Sequence, residues 1–77
     1  MSIKVRYFAS LKESLGRSED SPACTKRVTV RELWLLCVPE MPLPDNVLAA
    51  INMEYAALDS IVGDGDEVAF FPPITGG

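Results

Sequence analysis

A chain of 77 residues with 48% hydrophobic and 23% charged residues, at a net charge of −4, has room for one small domain built on a single two-layer core. It contains no histidine, which excludes a Ser-His-Asp triad, a Cys-His pair and a Cys2His2 zinc site within the chain. All seven basic residues lie at or before Arg31, whereas from Glu32 onward there are eight acids and no base, so the second stretch suits a basic partner surface and not nucleic acid.

Two cysteines, Cys24 and Cys37, are too few for a zinc site and do not form a CxxC pair. They fit free thiols in a reducing compartment. The longest apolar run, Leu33 to Val38, is far shorter than a membrane-spanning helix, and the first residues lack the apolar core of a signal peptide. The expectation is a cytoplasmic chain that engages neither membrane nor nucleic acid.

In chain order, Ile3, Val5 and Tyr7 alternate with Lys4 and Arg6, the pattern of a half-buried strand, and put Phe8 on the Lys4/Arg6 face. Ser10-x-x-Glu13 is a capping-box signature for a short helix, with Leu11 and Leu15 on one face and Gly16 as its stop. Residues 17–23 are polar and read as a loop, followed by a weak strand candidate from Cys24 to Val28. Thr29-x-x-Glu32 is a second capping box. It opens the clearest helix, with Val30, Leu33, Trp34, Cys37 and Val38 on one face and Pro39 as its end.

Val47–Ile51 and Tyr55–Leu58, joined through Asn52-Met53-Glu54, read as a hairpin. Gly63-Asp64-Gly65-Asp66 is a turn, too short for a calcium loop and without the following helix that a phosphate loop needs. Val68 and Phe70 alternate with Ala69 and Phe71 in a last strand, which Pro72 and Pro73 end because neither can donate to a ladder. The order is strand, helix, strand, helix, then two or three strands. That order predicts an α+β fold in which a small mixed sheet carries the main helix on one face, with a short helix besides. Residues 1–73 form the expected domain, and 74–77 are set apart as a flexible Gly-Gly tail.

Nothing inside the chain supplies acid–base or nucleophilic catalysis, so attention falls on the tail. Thr75, Gly76 and Gly77 have almost no side chain and follow a rigid Pro-Pro, so they fit a narrow channel where a Cβ beyond Thr75 clashes. The reactive group there is the α-carboxylate of Gly77, a poor electrophile until it is activated as an acyl-adenylate.

Gly65-Asp66-Glu67-Val68-Ala69-Phe70-Phe71-Pro72-Pro73-Ile74-Thr75-Gly76-Gly77 resembles the C-terminal signature of the small, sulfur-carrying subunits of molybdopterin synthase. Ile3 to Ala9, Thr29 to Leu33 and Ala50-Ile51-Asn52 are similar to that family's first strand, second helix start and central hairpin, so the likeness spans nearly the whole chain. The proline-rich 39–44 segment is shorter than the family's.

The resemblance implies a β-grasp, ubiquitin-like fold. It implies that a ubiquitin-activating-like adenylyltransferase spends ATP to adenylate Gly77, that a persulfide donor converts the terminus to a thiocarboxylate, and that the chain itself binds no cofactor or metal. It also implies delivery of the sulfur to cyclic pyranopterin monophosphate in a heterotetramer with the large subunit, whose lysines do the catalysis. Phe8, Tyr55 and Phe71, with Pro72 and Pro73, align with the family's partner-binding patch, and Cys24 and Cys37 carry no role. Three other readings share the tail: sulfur carriage for thiamine or tRNA thiolation, a protein modifier joined to lysines through Gly77, and an interaction domain whose tail is inert.

Overall fold

The computed structural model describes residues 2–23 and 26–73. Cys24, at the start of the expected third element, and the 74–77 tail lie outside the described residues. The chain runs β1 (Lys4–Tyr7), α1 (Ala9–Leu15), β2 (Glu19–Asp20), β3 (Val28–Thr29), α2 (Val30–Cys37), β4 (Leu48–Ile51), β5 (Glu54–Ala56), β6 (Ile61–Val62) and β7 (Glu67–Phe71). Five strands form one mixed sheet in the order β2-β1-β7-β4-β5, and β3 pairs with β6 in a second, two-stranded sheet. The central pair, β1 and β7, is parallel, with Val5 beside Val68 and Tyr7 beside Phe70, while every other pair is antiparallel. Parallel neighbours at the two ends of the sequence, with a helix across one sheet face, make the β-grasp arrangement that the resemblance implies.

Alternation decides what the sheet buries. Val5, Tyr7, Ala49, Val68 and Phe70 project to one face and are buried there with Val30, Leu33, Trp34 and Val38 of α2 and its cap. Three aromatic rings form the centre. Trp34 meets Phe70 edge-on at 5.0 Å and Tyr7 edge-on at 6.1 Å, and Tyr7 stacks on Phe70 at 6.3 Å. Such pairs add about 0.5–1.5 kcal/mol each beyond the area they bury. The indole Nε1–H of Trp34 donates to the Met41 carbonyl at 2.9 Å, and Met41 and Leu43 pack against the core. The proline-rich segment therefore folds back over the helix end and gives the buried indole its acceptor.

The second capping box forms in full. Thr29 Oγ1 accepts from the Glu32 N–H at 3.0 Å, and Glu32 Oε1 accepts from the Thr29 N–H at 2.8 Å. The first does not form: α1 starts at Ala9, and its cap is Phe8, which makes no side-chain cap bond. Phe8 is still extended, and its N–H donates to the Phe70 carbonyl at 3.1 Å, so the sheet holds it one residue longer and the chain turns sharply at Ala9, with φ 54°. Ser10 is thereby already inside the first turn. Gly16 ends the helix in the left-handed region, as its sequence position predicts.

Other boundaries also differ from the sequence expectation. The polar 17–23 stretch contains β2, whose Glu19 and Asp20 pair with Arg6 and Val5. Its ladder is backbone only, so no apolar alternation announces it. Among the described residues of the weak strand candidate, only Val28 is in a strand, and that strand continues to Thr29. The hairpin closes through two residues, Asn52 and Met53, and β5 starts at Glu54 and ends at Ala56. Four strands follow α2, where two or three are expected.

Arg17 ties the open end of this assembly together. Its Nε donates to Asp20 Oδ2 at 2.8 Å, Nη2 to the Cys37 carbonyl at 2.7 Å and Nη1 to Glu40 Oε2 at 3.2 Å. The buried Tyr7 hydroxyl donates to the same Asp20 oxygen at 2.7 Å. Burial, then the bond to Asp20, push the Tyr7 phenol well above its ordinary range, while Asp20 and Glu40 hold the Arg17 guanidinium charged. One cation thus joins β2, the C-terminal end of α2 and the loop after it.

Candidate functional site: the outer face of the sheet

The sheet face turned away from α2 is formed by the other half of the same strands. Register places Leu48 opposite Phe71, Ala50 opposite Ala69 and Tyr55 opposite Ala50. Phe8 stands one step beyond the β1–β7 register, beside Phe71. Tyr55 and Phe71 are in ring contact at 5.9 Å, tilted by 55°. These residues make an apolar strip across β1, β7, β4 and β5 that remains open: Tyr55 is 80% exposed, Phe8 45% and Leu48 39%, and Phe71 is half-buried. A small chain that leaves two aromatic rings and a leucine in water on one face is marked for association there.

The strip has a polar border. Arg6 Nε lies 2.8 Å from Glu67 Oε2, an exposed pair on the same face, and Lys4 lies beside Glu67 in the register. An apolar centre with a charged rim is the ordinary anatomy of a protein interface. At its lower end the hairpin is locked to β7 by Asn52. Its N–H donates to the Glu67 carbonyl at 2.7 Å, its Oδ1 accepts from the Glu67 N–H at 3.0 Å, and its Nδ2 donates to Asp66 Oδ1 at 3.1 Å. Asp66 also accepts from the Gly63 N–H at 2.9 Å. Those two donors, the Gly63 amide first and then Asn52, hold the Asp66 carboxyl below its ordinary value. The acidic 63–66 turn therefore uses Asp66 to close itself and to pin the hairpin.

At its upper end the strip reaches Pro72 and Pro73, both half-buried, where β7 stops. Phe8, Phe71, Pro72 and Pro73 are thus brought to one end of this face, and Tyr55 lies on the same face level with Ala69, two positions down β7 from Phe71. Thr75, Gly76 and Gly77 lie outside the described residues. Sequence reasoning missed Leu48, whose place in the continuous run Val47 to Ile51 hides its facing until the pairing with β7 is known. It also missed the exposure of Met53. Among the described residues, no group of three or more acidic or cysteine side chains is arranged to hold a metal ion, and no helix is long and apolar enough to cross a membrane.

Comparison with known proteins agrees with this geometry. The molybdopterin synthase sulfur carrier subunit of Escherichia coli is 36% identical over 85 residues, covering 97% of this chain and 99% of that protein. Its Haemophilus influenzae counterpart is 36% identical over 84 residues, at 97% and 99% coverage. Among solved structures, the small archaeal modifier protein SAMP1 of Haloferax volcanii superposes with a TM-score of 0.81 at 28% identity, over the whole of both chains. The ThiS family profile matches residues 5–77, and the chain belongs to that family of ubiquitin-like, β-grasp sulfur carriers.

Proposed function

We propose that this chain is the sulfur-carrying small subunit of a molybdopterin synthase and that Gly77 is the atom-bearing end. The observation that carries the reading is where the exposed aromatic strip ends. It terminates at Pro72 and Pro73, and Gly77 is the fourth residue after Pro73. Four extended residues span at most about 14 Å. An enzyme that acts on Gly77 must therefore rest against the body close to Pro73, and Phe8, Phe71 and Tyr55 are the uncovered apolar surface that meets it.

The chemistry follows from the carboxylate. A partner adenylyltransferase transfers AMP from ATP to the Gly77 carboxylate and releases pyrophosphate. A persulfide sulfur attacks the acyl-adenylate, AMP leaves, and cleavage of the resulting acyl disulfide by a thiol leaves a thiocarboxylate. Inside the large subunit that sulfur attacks cyclic pyranopterin monophosphate, and two deliveries build the dithiolene. A thiocarboxylate, like a thiolate, is ionised and nucleophilic at neutral pH. The near absence of side chains in Thr75-Gly76-Gly77 lets the end enter a narrow channel, and the two prolines reduce the ordering cost of each insertion. The assembly is a heterotetramer of two small and two large subunits.

Intact mass after incubation with ATP, a sulfur donor and the activating enzyme tests this. The expected gain corresponds to replacement of one oxygen by one sulfur, localised to Gly77. Deleting Gly77 should abolish both the gain and dithiolene formation while leaving the melting temperature unchanged, and retention of dithiolene formation by the truncated chain refutes the reading. The likeness to SAMP1 supports a second use of the same terminus, in which a lysine amine attacks the Gly77 adenylate to give an isopeptide. High-mass conjugates in cell extract that vanish on Gly77 deletion distinguish it.

A further inference from the structure

The hairpin tip carries a side chain that the fold does not need. Asn52 and Met53 form the two-residue turn between β4 and β5 with φ of 50° and 73°. A turn with two positive φ values favours Asn-Gly. Asn52 is fully accounted for by its three bonds to Asp66 and Glu67. Met53 is not: a methionine in the left-handed region is strained, and its side chain is 96% exposed. A glycine there serves the backbone better and wets no apolar surface.

Two further features give Met53 a context. It sits two residues before Tyr55, at the end of the aromatic strip opposite Pro73. The other described residue with positive φ that is neither glycine nor asparagine is Ala9, which directly follows Phe8. Backbone strain is thus held at both ends of one exposed apolar strip, beside Phe8 and beside Tyr55, where strain commonly marks a functional surface.

We infer that Met53 is the outermost anchor of the docking face and seats in an apolar, basic-rimmed recess of the synthase large subunit. The inference rests on the proposed function. Methionine is unbranched and polarizable and adapts to an irregular apolar recess. The exposed Glu54 beside the tip and the Asp66 carboxylate behind it call for lysine or arginine at the rim of that recess, whereas Glu67 is already paired with Arg6. Contact this far from the tail lengthens the interface along the full β7 strand. That suits a standing subunit partner, whereas an activating enzyme met in passing needs only the end beside Pro73.

The test measures affinity for the large subunit encoded in the same genome, together with thermal unfolding of the free chain. Met53→Gly should raise the melting temperature and yet weaken binding about tenfold, while Met53→Leu should retain wild-type affinity. Opposite signs on stability and binding exclude a merely structural role. Affinity within twofold of wild type in Met53→Gly overturns the inference, as does weakened adenylation with unchanged large-subunit binding, which would assign the tip to the activating enzyme. If Phe71→Asp abolishes binding and Met53→Gly does not, the docking face stands and only its extension falls. If the wild-type chain does not bind the large subunit at all, the proposed function falls and takes the inference with it.

Discussion

Phe70 and Phe71 are consecutive, chemically identical and opposite in use. Phe70 faces α2, is fully buried, and packs edge-on against Trp34 at 5.0 Å. Phe71 faces away and is half-buried, and Tyr55, itself mostly exposed, is its ring partner. The same contrast runs through the strand pairs: Ala49 and Phe70 are opposed on the covered face, Leu48 and Phe71 on the open one. Hydrophobicity alone does not separate a core from an interface, because both faces of this sheet carry apolar rings. What separates them is which face the chain covers with its own helix, and α2 packs its buried Val30, Leu33 and Trp34 on the inner one.

The largest effect expected from that contrast is at Phe70. Phe70→Ala removes a ring at the centre of the aromatic cluster and should destabilise the fold by about 3–5 kcal/mol, a large part of what a domain this size possesses. Denaturant unfolding checks it. Any loss of sulfur delivery in this variant should follow the unfolded fraction and recover on cooling. A loss of less than about 1 kcal/mol would mean that the core tolerates the void and that the two faces are less different than the packing implies.

Phe71→Asp should do the reverse. The new carboxylate lies beside Tyr55 and Leu48 in water, so the free chain should lose little stability. Docking desolvates that charge, and affinity for the large subunit should fall at least about thirtyfold. Equal affinity in a folded variant would remove Phe71 from the interface and leave the open face without its central contact.

Much of this division is written in the strand alternation. Ile3, Val5 and Tyr7, then Val68 and Phe70, place the inner face by parity, and parity alone sends Phe8 and Phe71 outward. Tyr55 came from family likeness, because three strand residues after a turn are too few to show a period. The two capping-box signatures show where local reading fails. Thr29 leads out of a two-residue strand directly into α2, and Glu32 reaches back to its N–H. Ser10 carries the same spacing, but the hydrogen bond from Phe8 to Phe70 has already decided where the chain turns. β2 and β6 were illegible for a related reason: each is two residues long and is held by a neighbouring strand, not by its own side-chain pattern.

The smallest expected effect sits at the seam between the two faces, where Asp66 closes the 63–66 turn and reaches Asn52. Its carboxyl titrates below its ordinary value because the Gly63 N–H and the Asn52 amide favour the charged form. A depressed folded-state value means that the stabilisation is complete above the unfolded-state value, near pH 4, and is lost as the pH falls through the lower folded-state value. Asp66→Asn should therefore lower the melting temperature by a constant few degrees above about pH 5, and the gap to wild type should begin to narrow below about pH 4. Because Asn52 pins the hairpin that carries both Tyr55 and Met53, the same variant should weaken docking modestly at neutral pH while leaving Gly77 adenylation unchanged. A melting difference that persists undiminished at pH 3 would show that Asp66 acts by shape and not by charge. The link between turn closure and the open face would then rest on Asn52 alone.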